Sequence, residues 1–298
     1  MPDMIKIKYW TKLLISNLLG IINFYGLSLY FQKIFYKNKF IRAVNYHCTS
    51  EKYNKNFELH MEYYSKNFVS VNEDMLIDFL ECGVWKYDKP GLMIFFDDGL
   101  NCNLINALPV LEKYSFVAWF MLPIGFLLEK KNNQKKFAHE HSINCFCEDK
   151  PNKDGIAIPI EKIRILNKKG HIIGSHTINH VRMSKNIDRK IMNTELFESK
   201  SILEKYTAGP VKSFCWVGGE EENYNENAIK AINRSDYHIS FANDAGFIRN
   251  KSNCKPFNRI NIESHYNLNM CKFYLSGLID LLYYFKRTRI QDKFEKFS

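Results

Sequence analysis

The chain has 298 residues, 46% of them apolar, and a formal net charge of +10. That much apolar material can bury a full core, which excludes a disordered chain, and the length suits one enzyme domain with short extensions and requires no second. The eight cysteines, Cys48, Cys82, Cys102, Cys145, Cys147, Cys215, Cys254 and Cys271, are scattered, which excludes a small disulfide framework and reads as reduced thiols in a cytoplasmic setting.

The first element is an uncharged stretch from Leu13 to Gln32, flanked by Lys6, Lys8 and Lys12 on one side and Lys33, Lys37 and Lys39 on the other. Its length could span a bilayer. Ser16, Asn17, Gly20, Asn23, Gly26 and Ser28 dilute it, and no small-residue cleavage site of a signal peptide follows. Residues 1–39 therefore read as a basic and apolar segment that rests on an anionic membrane surface or packs against the domain behind it.

Apolar strand candidates follow at residues 41–47, 67–71, 92–97, 116–122, 171–176, 212–217, 238–242 and 257–262, with helical patterns between many of them. Strands alternating with helices imply a parallel sheet, and seven or eight of them predict an α/β fold, a distorted (β/α) barrel of mainly parallel strands, over residues 40–285. Residues 129–157 interrupt the pattern. They are rich in lysine and asparagine and read as a polar loop over the rim. Their His139-Glu140-His141 and Cys145-Phe146-Cys147 offer ligand atoms in a spacing that matches no structural zinc pattern. Leu275, Leu278, Ile279, Leu282 and Phe285 predict a final helix covering the barrel, and residues 286–298 form a basic tail. The positive charge favours a phosphate-bearing or lipid-linked substrate or an anionic surface. No nucleic-acid motif accompanies it.

The chemistry concentrates in two places. The apolar run Gly91–Phe96 ends at Asp97-Asp98-Gly99, and His171–Ser175 leads to His176, with His180 four residues on. Successive strand residues face opposite sides, so adjacent aspartates serve one site only where a strand ends and a glycine permits a sharp exit. A helical turn after His176 is expected to bring His180 to the same face. Two imidazoles and one carboxylate leave a tetrahedral ion such as zinc an open position for water, and the second carboxylate remains available as a base.

These residues resemble the polysaccharide deacetylases of carbohydrate esterase family 4. The likeness rests on Ile94–Gly99, on Trp119-Phe120-Met121-Leu122-Pro123 and on Gly170–His180, and extends from about residue 41 to residue 263. It implies Asp97 as catalytic base and Asp98, His176 and His180 as metal ligands. It also implies a metal-dependent hydrolase that removes an acetyl group from an N-acetylated sugar of a cell-surface polysaccharide or glycolipid, with a carbohydrate, lipid-linked or not, as substrate.

Two motifs depart from the family. Its late histidine is poorly matched by Glu263-Ser264-His265, whereas Tyr46-His47 resembles a segment of circularly permuted members in which this histidine is the acid; His47 is preferred to His265. The third motif reads Phe214-Cys215-Trp216-Val217-Gly218-Gly219 and lacks the family's proline and arginine. Either Arg259 supplies that charge from another strand or Asp97 is tuned otherwise, and a backbone N–H near Trp216 is expected to line the oxyanion pocket. The alternatives are hydrolysis of a non-sugar amide or an O-acyl ester, or a catalytically impaired glycan-binding relative.

Overall fold

The computed structural model describes residues 3–144, 154–250 and 256–297. Its strands are β1 (Ile41–Tyr46), β2 (Val69–Ser70), β3 (Gly91–Phe96), β4 (Ala118–Leu122), β5 (Ile172–Ser175), β6 (Ser213–Cys215), β7 (Ile239–Ala242), β8 (Phe257–Asn258) and β9 (Ile260–Asn261). They hydrogen-bond in the order β8-β7-β6-β5-β4-β3-β1-β9, with β2 beside β3, and every pairing is parallel. The two ends of that path, β8 and β9, are one stretch of chain broken only at Arg259, so the sheet closes on itself. This is the expected barrel, and the predicted strand at 257–262 is the one that closes it.

Side-chain alternation sorts the core. Met93, Phe95, Trp119, Met121 and Phe241 point into the barrel, where the Phe95 ring lies 4.7 Å from that of Phe241 and 5.4 Å from that of Trp119. Ile94, Phe96, Phe120 and Leu122 point outward against the helices. The helices start and stop on local chemistry: in Glu73–Cys82, the Asn72 side chain accepts the Met75 N–H at 2.9 Å, and Gly83 ends the helix at φ 64°.

Outside the barrel the structure differs from the sequence expectations in three places. Of the tail expected at 286–298, residues 286–297 are described. They belong to a helix, Tyr284–Phe297, whose Ile290 and Phe294 are buried, and the Phe294 ring meets those of Trp216 and Tyr224. The stripe expected to cover the barrel is divided by Gly277, at φ 89°, into the helices Leu268–Leu275 and Leu278–Leu282; Leu275 and Ile279 are buried, whereas Leu282 and Phe285 face solvent. The described parts of residues 129–157 are also ordered: Gln134–Glu140 is helical, and Ile156 to Ile158 pair with Gly99 and Asn101. The buried Gln134 side chain holds that return by accepting the Ile156 and Ala157 amides. Cys145, Cys147 and Cys254 lie outside the described residues.

Candidate metal and acid–base centre

The parallel register sets the site. Tyr46 pairs with Phe96, Leu122 with Ser175, and Phe214 with Ser175 and Ser240, so the residues that follow these strands emerge on one carboxyl-terminal rim. Asp97 and His47 leave β3 and β1 side by side. His176 leaves β5, with its amide donating to the Leu122 carbonyl at 3.1 Å.

The exit from β3 is sharp because Asp98 and Gly99 both adopt positive φ, 70° and 66°. A side chain on Gly99 would stand 2.7 Å from Leu127. The turn sends the neighbouring carboxylates in different directions around one centre. Both are buried.

Contrary to the expectation from their spacing, His176 and His180 do not share a helix face. The chain from His176 to His180 is an irregular loop with Thr177 at φ 68° and His180 at φ 54°. The buried Glu195 holds it by accepting the Ile178 and Asn179 amides at 2.8 and 2.9 Å and the Asn179 side chain at 2.7 Å. A helix would use those amides internally; here a carboxylate from elsewhere in the chain takes them, and the two imidazoles converge all the same.

Their tautomers are fixed by carbonyls. His176 Nδ1 lies 2.9 Å from the Cys215 carbonyl oxygen and His180 Nδ1 lies 2.7 Å from that of His141, so each Nδ1 carries hydrogen and each Nε2 presents a lone pair. Both Nε2 atoms face Asp98 Oδ1, at 3.7 and 3.2 Å, and that buried oxygen has no hydrogen-bond partner. Burial lowers His176 to about 4, so it is neutral, whereas Asp98 raises His180 against the effect of burial. Two ring nitrogens and an anionic oxygen meeting in a buried space offer a cation its ligands. Their ligand atoms lie within 4.8 Å of one another, which suits a divalent ion. Asp97, His176 and Cys215 form an equally compact set, but burial keeps the Cys215 thiol protonated and Arg259 occupies both oxygens of Asp97.

Arg259 meets Asp97 in a fork, Nη1 to Oδ1 at 2.7 Å and Nη2 to Oδ2 at 2.8 Å. It stands at the break between β8 and β9, over the Phe95 ring, with Nη2 also reaching Cys215 Sγ and Asn243. Of the two routes left open for the missing arginine, the structure takes this one. Burial alone would raise Asp97; the Arg259 guanidinium reverses that and holds the carboxyl below its ordinary range.

His47 is the least enclosed member, with 28% of its side chain exposed. Its Nδ1 lies 3.0 Å from Glu263 Oε1. Burial would lower its pKa, but Glu263, Asp98 and Asp97 together push it up to about 10. His265, the other candidate acid, is turned against Tyr9, Tyr53 and Tyr266. Its neighbour Glu263, noted in the sequence only for spoiling the family pattern, is the partner of His47.

Asp97 and His47 are linked. Asn45 Nδ2 reaches Asp97 Oδ2 at 3.3 Å and Asn261 Oδ1 at 3.1 Å, and Asn261 Nδ2 donates to Glu263 Oε1 at 3.1 Å. The register that sets Asn45 beside Asn261 builds this chain. Two asparagines inside apolar strands were the available signal for it; Glu195 had none. Of the backbone N–H groups near Trp216, one of which was expected to line the oxyanion pocket, that of Trp216 itself donates to the Phe241 carbonyl at 3.0 Å.

The sequence profile described as polysaccharide deacetylase matches residues 86–240, just over half of the chain. The chain belongs to the polysaccharide deacetylase family. Bacillus subtilis (strain 168) YxkH, whose name carries the same family, is 23% identical over 192 residues, covering 64% of this chain and 58% of that protein, so the chain spans less than two thirds of this relative's length. The Streptococcus pyogenes deacetylase PplD, solved in complex with acetate, superposes with a TM-score of 0.60 at 16% identity, covering 76% of this chain and 94% of the other. The de-N-acetylase from Aggregatibacter actinomycetemcomitans gives 0.62 at 16% identity, over 79% and 99% of the two chains. IcaB from Ammonifex degensii gives 0.61 at 13%, over 81% and 97%. These three likenesses are of fold. In this polysaccharide deacetylase the matched span contains Asp97, Asp98, His176 and His180, begins after His47 and ends before Arg259 and Glu263.

Proposed function

We propose that this polysaccharide deacetylase is a metal-dependent de-N-acetylase acting on an N-acetylated sugar of a glycan, in which Asp98, His176 and His180 hold a divalent ion. The observation that carries the reading is the unpartnered Asp98 Oδ1 facing two Nε2 atoms whose rings are locked by main-chain carbonyls. Zinc suits this set of two imidazoles and a carboxylate. A divalent ion held there supplies the Lewis acidity that acidifies water and polarises an acyl carbonyl.

The chain's own residues do the rest. Asp97, kept anionic by Arg259, accepts a proton from the attacking water. His47, kept protonated by Glu263, delivers a proton to the amine nitrogen as its bond to the acyl carbon breaks. An amine is a poor leaving group without that proton, and the presence of a raised histidine on the rim favours amide over ester substrates. A cell-surface or lipid-linked glycan fits the basic character of the chain.

The test is acetate release from N-acetylhexosamine oligosaccharides, measured beside bound metal for three proteins. Wild type is expected to release acetate with about one ion per chain. His176→Ala is expected to lose ion and activity together, and Asp97→Asn to keep the ion while turnover falls by about 10²–10⁴-fold. Turnover by metal-free protein equal to that of the loaded enzyme would end this reading.

A further inference from the structure

The helices α1 (Asp3–Ile21) and α2 (Phe24–Phe35) meet at 79°, and among the described residues no single helix is long and apolar enough to cross a membrane. Polar contacts fasten their inner sides to the barrel's helices. Lys12 Nζ reaches Tyr274 Oη at 3.0 Å, Asn267 Nδ2 donates to Asn17 Oδ1 at 3.2 Å, and Ser28 Oγ and Gln32 Nε2 donate to the Ser276 carbonyl at 2.7 and 2.9 Å. Helices held this way lie against the protein and do not thread through a bilayer.

Their outer sides are apolar and uncovered. Trp10, Leu18, Ile21, Phe31 and Phe35 are all more than half exposed, Ile21 at 80% and Phe35 at 78%. A second part of the chain extends the surface. The Ser276 carbonyl that α2 grips precedes the helix Leu278–Leu282, and Leu282 and Phe285 beyond it are 72% and 74% exposed. Segments nearly 250 residues apart in sequence thus join at Ser276, and each leaves apolar side chains bare, a concentration that marks an interaction surface.

Charge decides what covers it. Between residues 4 and 50 the chain contains no aspartate or glutamate, while Lys8, Lys37 and Lys39 are exposed around the apolar area. A second copy seated face to face would set these lysines against the same lysines with no carboxylate from this segment to neutralise them. An anionic bilayer offers both an apolar interior for the aliphatic and aromatic side chains and acidic headgroups for the lysines.

We infer that α1, α2 and the Leu278–Phe285 segment form one surface that docks in the plane of an anionic membrane. Tyr9 of α1 packs 5.8 Å from His265, two residues beyond the Glu263 that holds His47, so docking brings the catalytic rim beside the headgroups. That consequence for substrate access rests on the proposed function; the docking itself does not.

The experiment is flotation of the full chain with phosphatidylcholine vesicles, with and without phosphatidylglycerol, beside sedimentation equilibrium. Wild type is expected to float with the phosphatidylglycerol vesicles and to be released by added salt. The exposed-site variant F31E/F285E is expected to stay at the bottom with unchanged circular dichroism and thermal midpoint, and K8E/K37E to bind at least about tenfold more weakly. Three results would each overturn the inference: no flotation of wild type, flotation unaffected by F31E/F285E, or a concentration-dependent dimer that F31E/F285E abolishes. Flotation reads docking whether or not the site hydrolyses an amide, so failure of one reading leaves the other standing.

Discussion

On one half of the rim the rings of His176 and His180 are oriented by main-chain carbonyls, on a loop held by the buried Glu195 carboxylate, whereas the half that holds Asp97 and His47 is held by side chains drawn from the end of the chain. In the first, the Cys215 and His141 carbonyls orient the rings, and any residue at those positions offers the same oxygen. In the second, Arg259, Asn261 and Glu263 arrive on the strand that closes the barrel and connect through Asn45. The half with Asp98, His176 and His180 can therefore tolerate change at Cys215 and His141, though not at Glu195. The half with Asp97 and His47 depends on each partner's chemistry, and substitutions there should separate the two.

The largest expected effect outside the metal set is at His47. His47→Ala is expected to keep the ion and lose about 10²–10⁴-fold in turnover on an N-acetyl sugar. On 4-nitrophenyl acetate, whose leaving group needs no proton, the loss should be much smaller. Steady-state rates on both substrates make the comparison, and equal losses would remove His47 from the acid role.

Arg259→Met comes next. It leaves the buried Asp97 without its counter-charge, which should destabilise the fold by roughly 3–5 kcal/mol, read as a lower midpoint in urea. The sign follows from Asp97. Its carboxyl is held low in the folded chain, so the pair stabilises above the ordinary carboxylate range and that contribution fades as pH falls through the folded value. The wild-type advantage over the variant should therefore shrink towards acid pH. A constant gap would point to packing over Phe95 as the source.

The same division explains what could be read from the sequence. The barrel was legible because a parallel sheet buried on both faces requires continuous apolar runs, and Ile94–Phe96 or Trp119–Leu122 can hardly be anything else. Asp97-Asp98-Gly99 announced a strand end. The loop from His176 to His180 was misread as helical, since i, i+4 spacing is the only local cue and Glu195, the residue that overrides it, lies in a helical stretch without a motif. The acid's partner was hidden for a related reason. Glu263 meets His47 only because β9 pairs with β1, a contact 216 residues apart in sequence that no local pattern encodes.

Glu195→Ala probes the buried carboxylate that holds the loop from His176 to His180. It frees the Ile178 and Asn179 amides and loosens the loop that carries both imidazoles. Metal affinity, measured by competition with a chelator, is expected to fall by about 10–100-fold, with turnover largely restored at saturating metal. Unchanged affinity would mean that the two carbonyl contacts alone orient the rings.

Glu263→Gln is the mildest change and the most discriminating. The amide keeps a hydrogen-bonding oxygen near His47 Nδ1 but removes the negative charge that does most to raise this imidazole. In wild type the proton stays on His47 until pH approaches about 10, and the stabilisation from the pair is fully present below the imidazole's ordinary pKa and lost as pH rises through the folded value. In the variant that upper value should fall towards about 6.5. Turnover at slightly acid pH should then be nearly that of wild type, while the basic limb of the rate profile moves to lower pH. The thermal-midpoint difference between the two proteins should be greatest at acid pH and close up in alkali. A basic limb that stays in place would assign the wild-type limb to another group and leave Glu263 a purely steric support for the ring.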